Sequence, residues 1–369
     1  MNLSCLHGLP LASLCLVASF GCSGPPATPP AKSPAPAAAK TAGATAIEQK
    51  AVASQQNDEG EITLLDLHGT DVSDSELRGI PDFAFLTSLN LAETPVTEVG
   101  LESIGKSKSL KVLDLRDSAI NNADLKGLEG MPELRVLRLS GKNGKTTVCD
   151  KGMASLAKIP QLKGLSLDFL WISEDGLAQL APLKDLEELY LARTLVTDES
   201  LAKLALFPKL KKLRLAKTQI TGAGLAELAK LPALEELDLS ENGIDDAGLE
   251  HLAKMKQLKR LNLWRVQATD AGMAHLAGLT NLVWLNVDNT QLSDAGLPHF
   301  KDLTKLTFLH LGSTAISDAG LVNLEGLTAL KDLKVTRTAV SAEGVAKLKQ
   351  KLPQTAIQLE YRQAEEPVP

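Results

Sequence analysis

The sequence predicts an α/β solenoid, a curved stack of strand-turn-helix units with a parallel sheet on its concave side and helices on its convex side. Three observations predict it. A Leu-x-Leu pair recurs with first leucines at Leu65, Leu89, Leu113, Leu137, Leu165, Leu189, Leu213, Leu237, Leu261, Leu285, Leu309 and Leu333, and Ile357 closes the series as a weaker copy. Every interval between them is 24 residues except one of 28. Hydrophobic residues make up 44% of the chain but aromatics only 3%, so the core must consist of many small aliphatic layers. A length of 369 residues would otherwise suggest two or three globular domains, a prior that fails once a short period is found.

The strand comes first in each unit. In Leu189–Leu204, LYLARTLVTDESLAKL, the leucines of the leading pair point to one face and the residue between them to the other. The later Leu201-x-x-Leu204 spacing has helical periodicity. The helix start is marked by a good N-cap residue: Ser73, Thr97, Asn121, Ser173, Thr197, Thr221, Asp245, Thr269, Ser293, Ser317 and Ser341, with Cys149 the exception. An acid usually follows, as at Asp74, Glu98, Asp150, Glu174, Asp198, Asp246, Asp270, Asp294 and Asp318. A carboxylate there is favoured by the helix dipole by about 0.3 to 1 kcal/mol, which accounts for the acidic column without a metal ladder.

Strands stack about 4.8 Å apart and helices roughly 8 to 10 Å apart, so the array bends into a horseshoe with the strands inside. One unit cannot bury its own leucines; stability comes from neighbours.

The ends read differently. Residues 1–21 are expected to be a signal peptide, because the apolar stretch 9–21 is about 13 residues, short of the roughly 20 a spanning helix needs. Gly21-Cys22 resembles a bacterial lipobox, which implies lipidation at Cys22, although Ser19 and Phe20 depart from that pattern and the first residues carry no Lys or Arg. Residues 22–60, rich in Pro and Ala at their start, are expected to be a disordered tether spanning roughly 35 Å as a flexible coil, with a short helix over 46–56 leading into the repeats. The repeat domain is placed at 61–361 and a disordered tail at 362–369. These features imply a cell-envelope protein, anchored on the outer-membrane or periplasmic side, or else secreted. Of four cysteines only Cys149 lies in the repeats, so no disulfide staples them.

Across residues 61–361 the pattern resembles the leucine-rich-repeat superfamily. The T-x-V-T-D-x-G-L form, and Thr221-Gly222-Ala223-Gly224-Leu225-Ala226 in particular, is similar to ribonuclease-inhibitor-like, cysteine-containing and GALA-type repeats. Thr194, Thr218, Thr290 and Thr314 stand where that family carries Asn or Cys; Asn242 keeps Asn. The resemblance implies a leucine-rich-repeat solenoid that binds proteins. The ubiquitin-ligase role common in those subfamilies does not carry over, since no F-box-like segment precedes the repeats and export is expected.

Several motifs read as structural. The long interval holds Ser140-Gly141-Lys142-Asn143-Gly144-Lys145-Thr146-Thr147, but a phosphate loop needs glycine where Leu139 stands, so a mobile basic loop is expected. His251, His275 and His299 recur on neighbouring helices, too far apart to share one zinc ion. Asp238 and Asp288 face outward but form no acid pair in a cleft. No enzyme activity, metal or cofactor is expected. A net charge of −6 argues against nucleic acid.

The informative positions are those the fold leaves to vary. The column before the first leucine runs Glu188, Lys212, Glu236, Arg260, Trp284, Phe308, a charge ladder broken by two aromatics. Exposed Trp and Phe are enriched at binding hot spots. With Tyr190, Arg214, Asn262, Trp264, Arg265, Asn286 and His310 nearby, they make a candidate concave binding surface. The expected partner is a protein; the alternatives are an envelope glycan stacked on Trp264 and Trp284, or a passive spacer with no ligand. A monomer is expected.

Overall fold

The computed structural model describes residues 41–360, all within the unit that runs from Lys40 to Pro369. Cys22 and the expected signal peptide, the tether up to Lys40 and the tail lie outside the described residues. Fourteen strands form one open sheet in strict chain order. From Ile62–Asp66 to Ala356–Gln358 all neighbours are parallel, in a register that sets Leu65 beside Leu89, Leu89 beside Leu113, and so on to Leu333 beside Ile357. The leucines of this row are buried, and with the row two residues on they join one apolar core that runs from Ala44 to Leu352.

The convex elements are short. They mix α-helical turns such as Asp246–Leu252 with 3-10 turns such as Leu297–Phe300, and only the last, Ala342–Lys351, reaches 10 residues. Among the described residues no helix is long and apolar enough to cross a membrane.

Two recurrent hydrogen-bond sets order the array, one bracing the turn inside a unit and one joining each unit to the next. After several strands a Thr hydroxyl donates to a carbonyl three residues back: Thr94 to Leu91 at 2.6 Å, Thr194 to Leu191 at 2.7 Å, Thr314 to Leu311 at 2.6 Å. Asn242 does the same work with its amide, donating to Leu215 and Leu239. Immediately before that position the chain passes through a left-handed residue in ten units, Glu93, Asp117, Phe169, Arg193, Lys217, Glu241, Arg265, Asn289, Ser313 and Arg337, with φ between 50° and 62°.

The second set is acidic. Asp74, Asp150, Asp198, Asp246, Asp270, Asp294 and Asp318 each accept from the backbone N–H and the hydroxyl of the N-cap residue in the next unit, with N–H distances of 2.7 to 3.0 Å. The carboxylate oxygen that takes the N–H lies where a Cβ on Gly100, Gly176, Gly224, Gly272, Gly296, Gly320 or Gly344 would have to go. The Asp-x-Gly spacing is thus one device seen twice: acid forward, glycine back.

Three expectations need correcting. Residues 41–60 are part of the fold rather than of a disordered tether, so the ordered domain starts near Thr41, not at 61. The helix expected over 46–56 is α1, Ala42–Lys50, and it leads into β1, Ala53–Gln56, paired antiparallel with β2, Ile62–Asp66. The physical reason is the open end of the first leucine layer, which the fully buried Ala44 and Ile47 of α1 cover. Lastly, the 28-residue unit does not hold a loose loop. Asn143 donates from N–H (3.0 Å) and Nδ2 (2.7 Å) to Asp117, its Oδ1 accepts from Lys145 N–H at 2.9 Å, and Thr146 donates to Ser118 at 2.7 Å.

Candidate concave surface

The strands put the column before the first leucine in direct register, Arg260 beside Trp284 and Trp284 beside Phe308. Its first part is an ion ladder: Lys212 lies 2.9 Å from Glu188 and 4.0 Å from Glu236, and Arg260 lies 3.6 Å from Glu236. The ladder continues by other means. The Arg260 guanidinium sits 4.7 Å over the Trp284 ring, Trp284 stacks on Phe308 at 5.0 Å and 5°, and His310 meets Phe308 edge-on at 6.4 Å. Strand spacing sets this stack, since rings on adjacent strands are held near van der Waals distance. Trp284 and Phe308 remain half-buried.

Both faces of Trp284 are therefore occupied, one by a cation and one by a ring. The second tryptophan, Trp264, is half-buried past its strand, with Arg265 at 5.4 Å over its face. A sugar ring needs one open aromatic face; Trp284 offers none, while Arg265 covers one face of Trp264.

The other named residues do not converge on the stack. Tyr190 donates to Glu188 at 3.1 Å, and burial, reinforced by the Glu188 carboxylate, pushes its phenol up from the ordinary value. Arg214 lies 3.2 Å from Asp168 and 3.5 Å from Asp238, with its Nε buried and without a hydrogen-bond acceptor. Burial raises the Asp168 carboxyl, against the pull of Arg214 and of the Ala192 N–H it accepts. Asn286 is buried, and its Oδ1 accepts from the Asp288 N–H at 2.9 Å, so it serves a turn rather than the surface. Asn262 does likewise for Trp264 N–H at 3.2 Å. Arg265 shares Glu241 with Lys217 and Arg193, at 3.5, 3.4 and 3.9 Å.

One part of the concave face went unread. Leu64, Ser88 and Val112 occupy the same column in the first units and, with Asp66, Asn90, Asp114 and Arg138, line a shallow hollow of about 190 Å³. Asp114 is buried there and bound by Arg116 through Nε at 3.0 Å. The absence of charge from this column before Glu188 was the available signal. Among the described residues no group of three or more His, Cys, Asp or Glu side chains comes together as a metal site would require. His251, His275 and His299 lie half-buried on successive convex elements.

Comparison with known proteins speaks to the repeats. A model described as a leucine-rich repeat region matches residues 64–247, and one described as a leucine-rich repeat matches 302–324. No curated protein matches the chain. Among solved structures, an internalin (inlF) from Listeria monocytogenes is 24% identical, covering 87% of this chain and 89% of that one, with a TM-score of 0.60. Internalin C2 (inlC2) of the same organism is 24% identical over 65% of this chain and 83% of that one, with a TM-score of 0.39. TLR13, solved in a complex with ssRNA13, is 20% identical over 80% of this chain and 42% of that one, with a TM-score of 0.49. At these identities the first likeness concerns the fold alone, and the other two add nothing to it.

Proposed function

Because this chain belongs to the leucine-rich-repeat superfamily, we propose that it is a non-enzymatic scaffold whose concave sheet holds another protein. The observation that carries this reading is the Arg260–Trp284–Phe308 stack: three large side chains in register on a column where the fold requires only that something fit. Large aromatic side chains on a sheet face supply contact area at low entropic cost, and half-buried rings beside a cation suit an irregular polypeptide surface. The two covered faces of Trp284 count against a glycan stacked on that ring. A passive spacer would leave no reason for half-exposed aromatics on two adjacent strands.

The same reading places the protein at the cell envelope, exported and lipid-anchored through Cys22. It also assigns the repeats to the ribonuclease-inhibitor-like type, on the strength of the Asp-x-Gly ladder and the helical turns of the convex side.

The test is affinity capture from envelope extract with the full chain and, side by side, a W284A/F308A variant. A protein captured by the first and lost at least about tenfold with the second is the expected result. Equal capture by both refutes the assignment of the stack. Loss of fatty-acid labelling in C22S checks the anchor separately.

A further inference from the structure

The largest exposed apolar side chain of the described fold lies away from the concave stack. Trp171 is 68% exposed, in the turn after strand Gly164–Asp168. Its unit stacks directly on the one carrying the four-residue insertion. Gly141 donates to the Asp168 carbonyl at 3.1 Å, and Cys149 and Trp171 form a parallel bridge. On its other side Leu195, 40% exposed, comes next in the adjoining unit through its N–H bond to Ile172.

Two residues earlier stands Phe169, in the left-handed conformation at φ 62°. Elsewhere that column holds mainly charged or small polar residues, some of which tolerate positive φ far better than a bulky aromatic does. The turn does not ask for Phe. Its ring is half-exposed, with the Arg193 guanidinium 5.1 Å above it.

The charge beside this apolar group is positive on the side of the insertion. Lys142 and Lys145 are exposed on a loop pinned to Asp117, and among the described residues neither ammonium has an ion-pair partner. Arg193 shares the single carboxylate of Glu241 with two other cations. On the helix side of Trp171 stand two carboxylates in the first turn of the next helix, Glu174, which pairs with Lys203 at 3.1 Å, and Asp175.

We propose that the rim formed by Phe169, Trp171 and Leu195, with Lys142, Lys145 and Arg193, is a second docking surface, for an acidic polypeptide segment that carries a large apolar side chain. The apolar anchor covers Trp171 and Leu195, and the carboxylates beside it reach the ammonium groups of the insertion. A flat anionic membrane is the poorer fit. Asp175 lies in the helix turn that follows Trp171 and the net charge of the chain is −6, both of which repel an extended anionic surface, whereas a narrow segment can engage the cationic side alone.

The experiment titrates the full chain with three probes: a short synthetic peptide with Leu flanked by Glu, its Lys-flanked counterpart, and vesicles of anionic phospholipid. Saturable, salt-sensitive binding of the Glu-Leu peptide alone is expected, weakened about tenfold or more in W171S and in K142E/K145E and unchanged in W284A/F308A. Trp171 is exposed and the lysines lie on a surface loop, so circular dichroism of these variants should match the parent. The proposal is overturned if the Glu-Leu peptide does not bind, if the Lys-Leu peptide binds equally, if the variants bind as the parent does, or if the vesicles are the only probe that binds.

Discussion

At the scale of the residue, the acid and the glycine two positions after it answer to different neighbours. Asp246 accepts from Thr269 N–H at 2.7 Å and Thr269 Oγ1 at 2.6 Å, while Gly272 leaves room for that same carboxylate, its added Cβ also meeting Asp246 Cα at 3.1 Å. D246A should cost about 1 to 3 kcal/mol, because two donors lose their acceptor. G272A should cost a similar amount through crowding, about 1 to 3 kcal/mol. Removing the carboxylate makes space for the methyl group, so the double variant should be less destabilised than the sum by about 1 kcal/mol in urea unfolding; strict additivity would refute the shared-space account. A second residue-scale expectation concerns pH. Glu76 accepts from Ser73 N–H and Lys50, and these bonds hold its carboxyl at about 2 against an ordinary 4.5. A depressed carboxylate stabilises the folded state fully above the unfolded value and loses that contribution as pH falls through the folded one. The melting temperatures of the parent and E76Q should therefore differ at pH 6 and converge between pH 4.5 and 2. A gap that persists at pH 2 would point to another cause.

At the scale of the element, the strand row and the N-cap column could be read from single residues, because leucine alternation and a Ser/Thr before an acid each state a local requirement. Position within the array could not be read that way. The segment after Lys40 has a composition close to that of a tether, and only the open end of the first leucine layer explains why α1 (Ala42–Lys50) and β1 (Ala53–Gln56) fold onto it. The candidate site was legible as a column, since register comes from a fixed period, but not as chemistry. That Arg260 covers one face of Trp284 and Phe308 the other, and that Asn286 turns to a backbone N–H, depends on rotamers the period does not specify. Capping makes a direct prediction. I47D places a carboxylate in a fully buried site of α1 and should detach that helix, speeding hydrogen exchange in Ile62–Asp66 and Ser88–Asn90 while leaving Asp332–Lys334 protected. Uniform loss of protection would mean that the cap is not a separate unit.

At the scale of the whole molecule, each unit touches chiefly the units before and after it, so stability should behave as a sum of repeats and their interfaces. Excision of residues 309–332 tests this with the ladders in place. It joins Phe308 to Leu333, preserves the leucine row, and presents Asp294 with Ser341 and Gly344 in place of Ser317 and Gly320. Arg260, Trp284 and Phe308 all survive the cut, although His310 does not. The shortened chain should keep its circular dichroism line shape, melt lower, and show a urea m-value reduced by about one thirteenth, since m scales with the surface exposed on unfolding. Excision of residues 309–320 removes half a unit and sets leucines against polar positions, so it should unfold the C-terminal repeats outright. If the half-unit deletion were tolerated as well as the full one, the period would not be what holds the array together. A whole-unit variant that folds and still captures the same partner would confine the concave site to the strands before the cut.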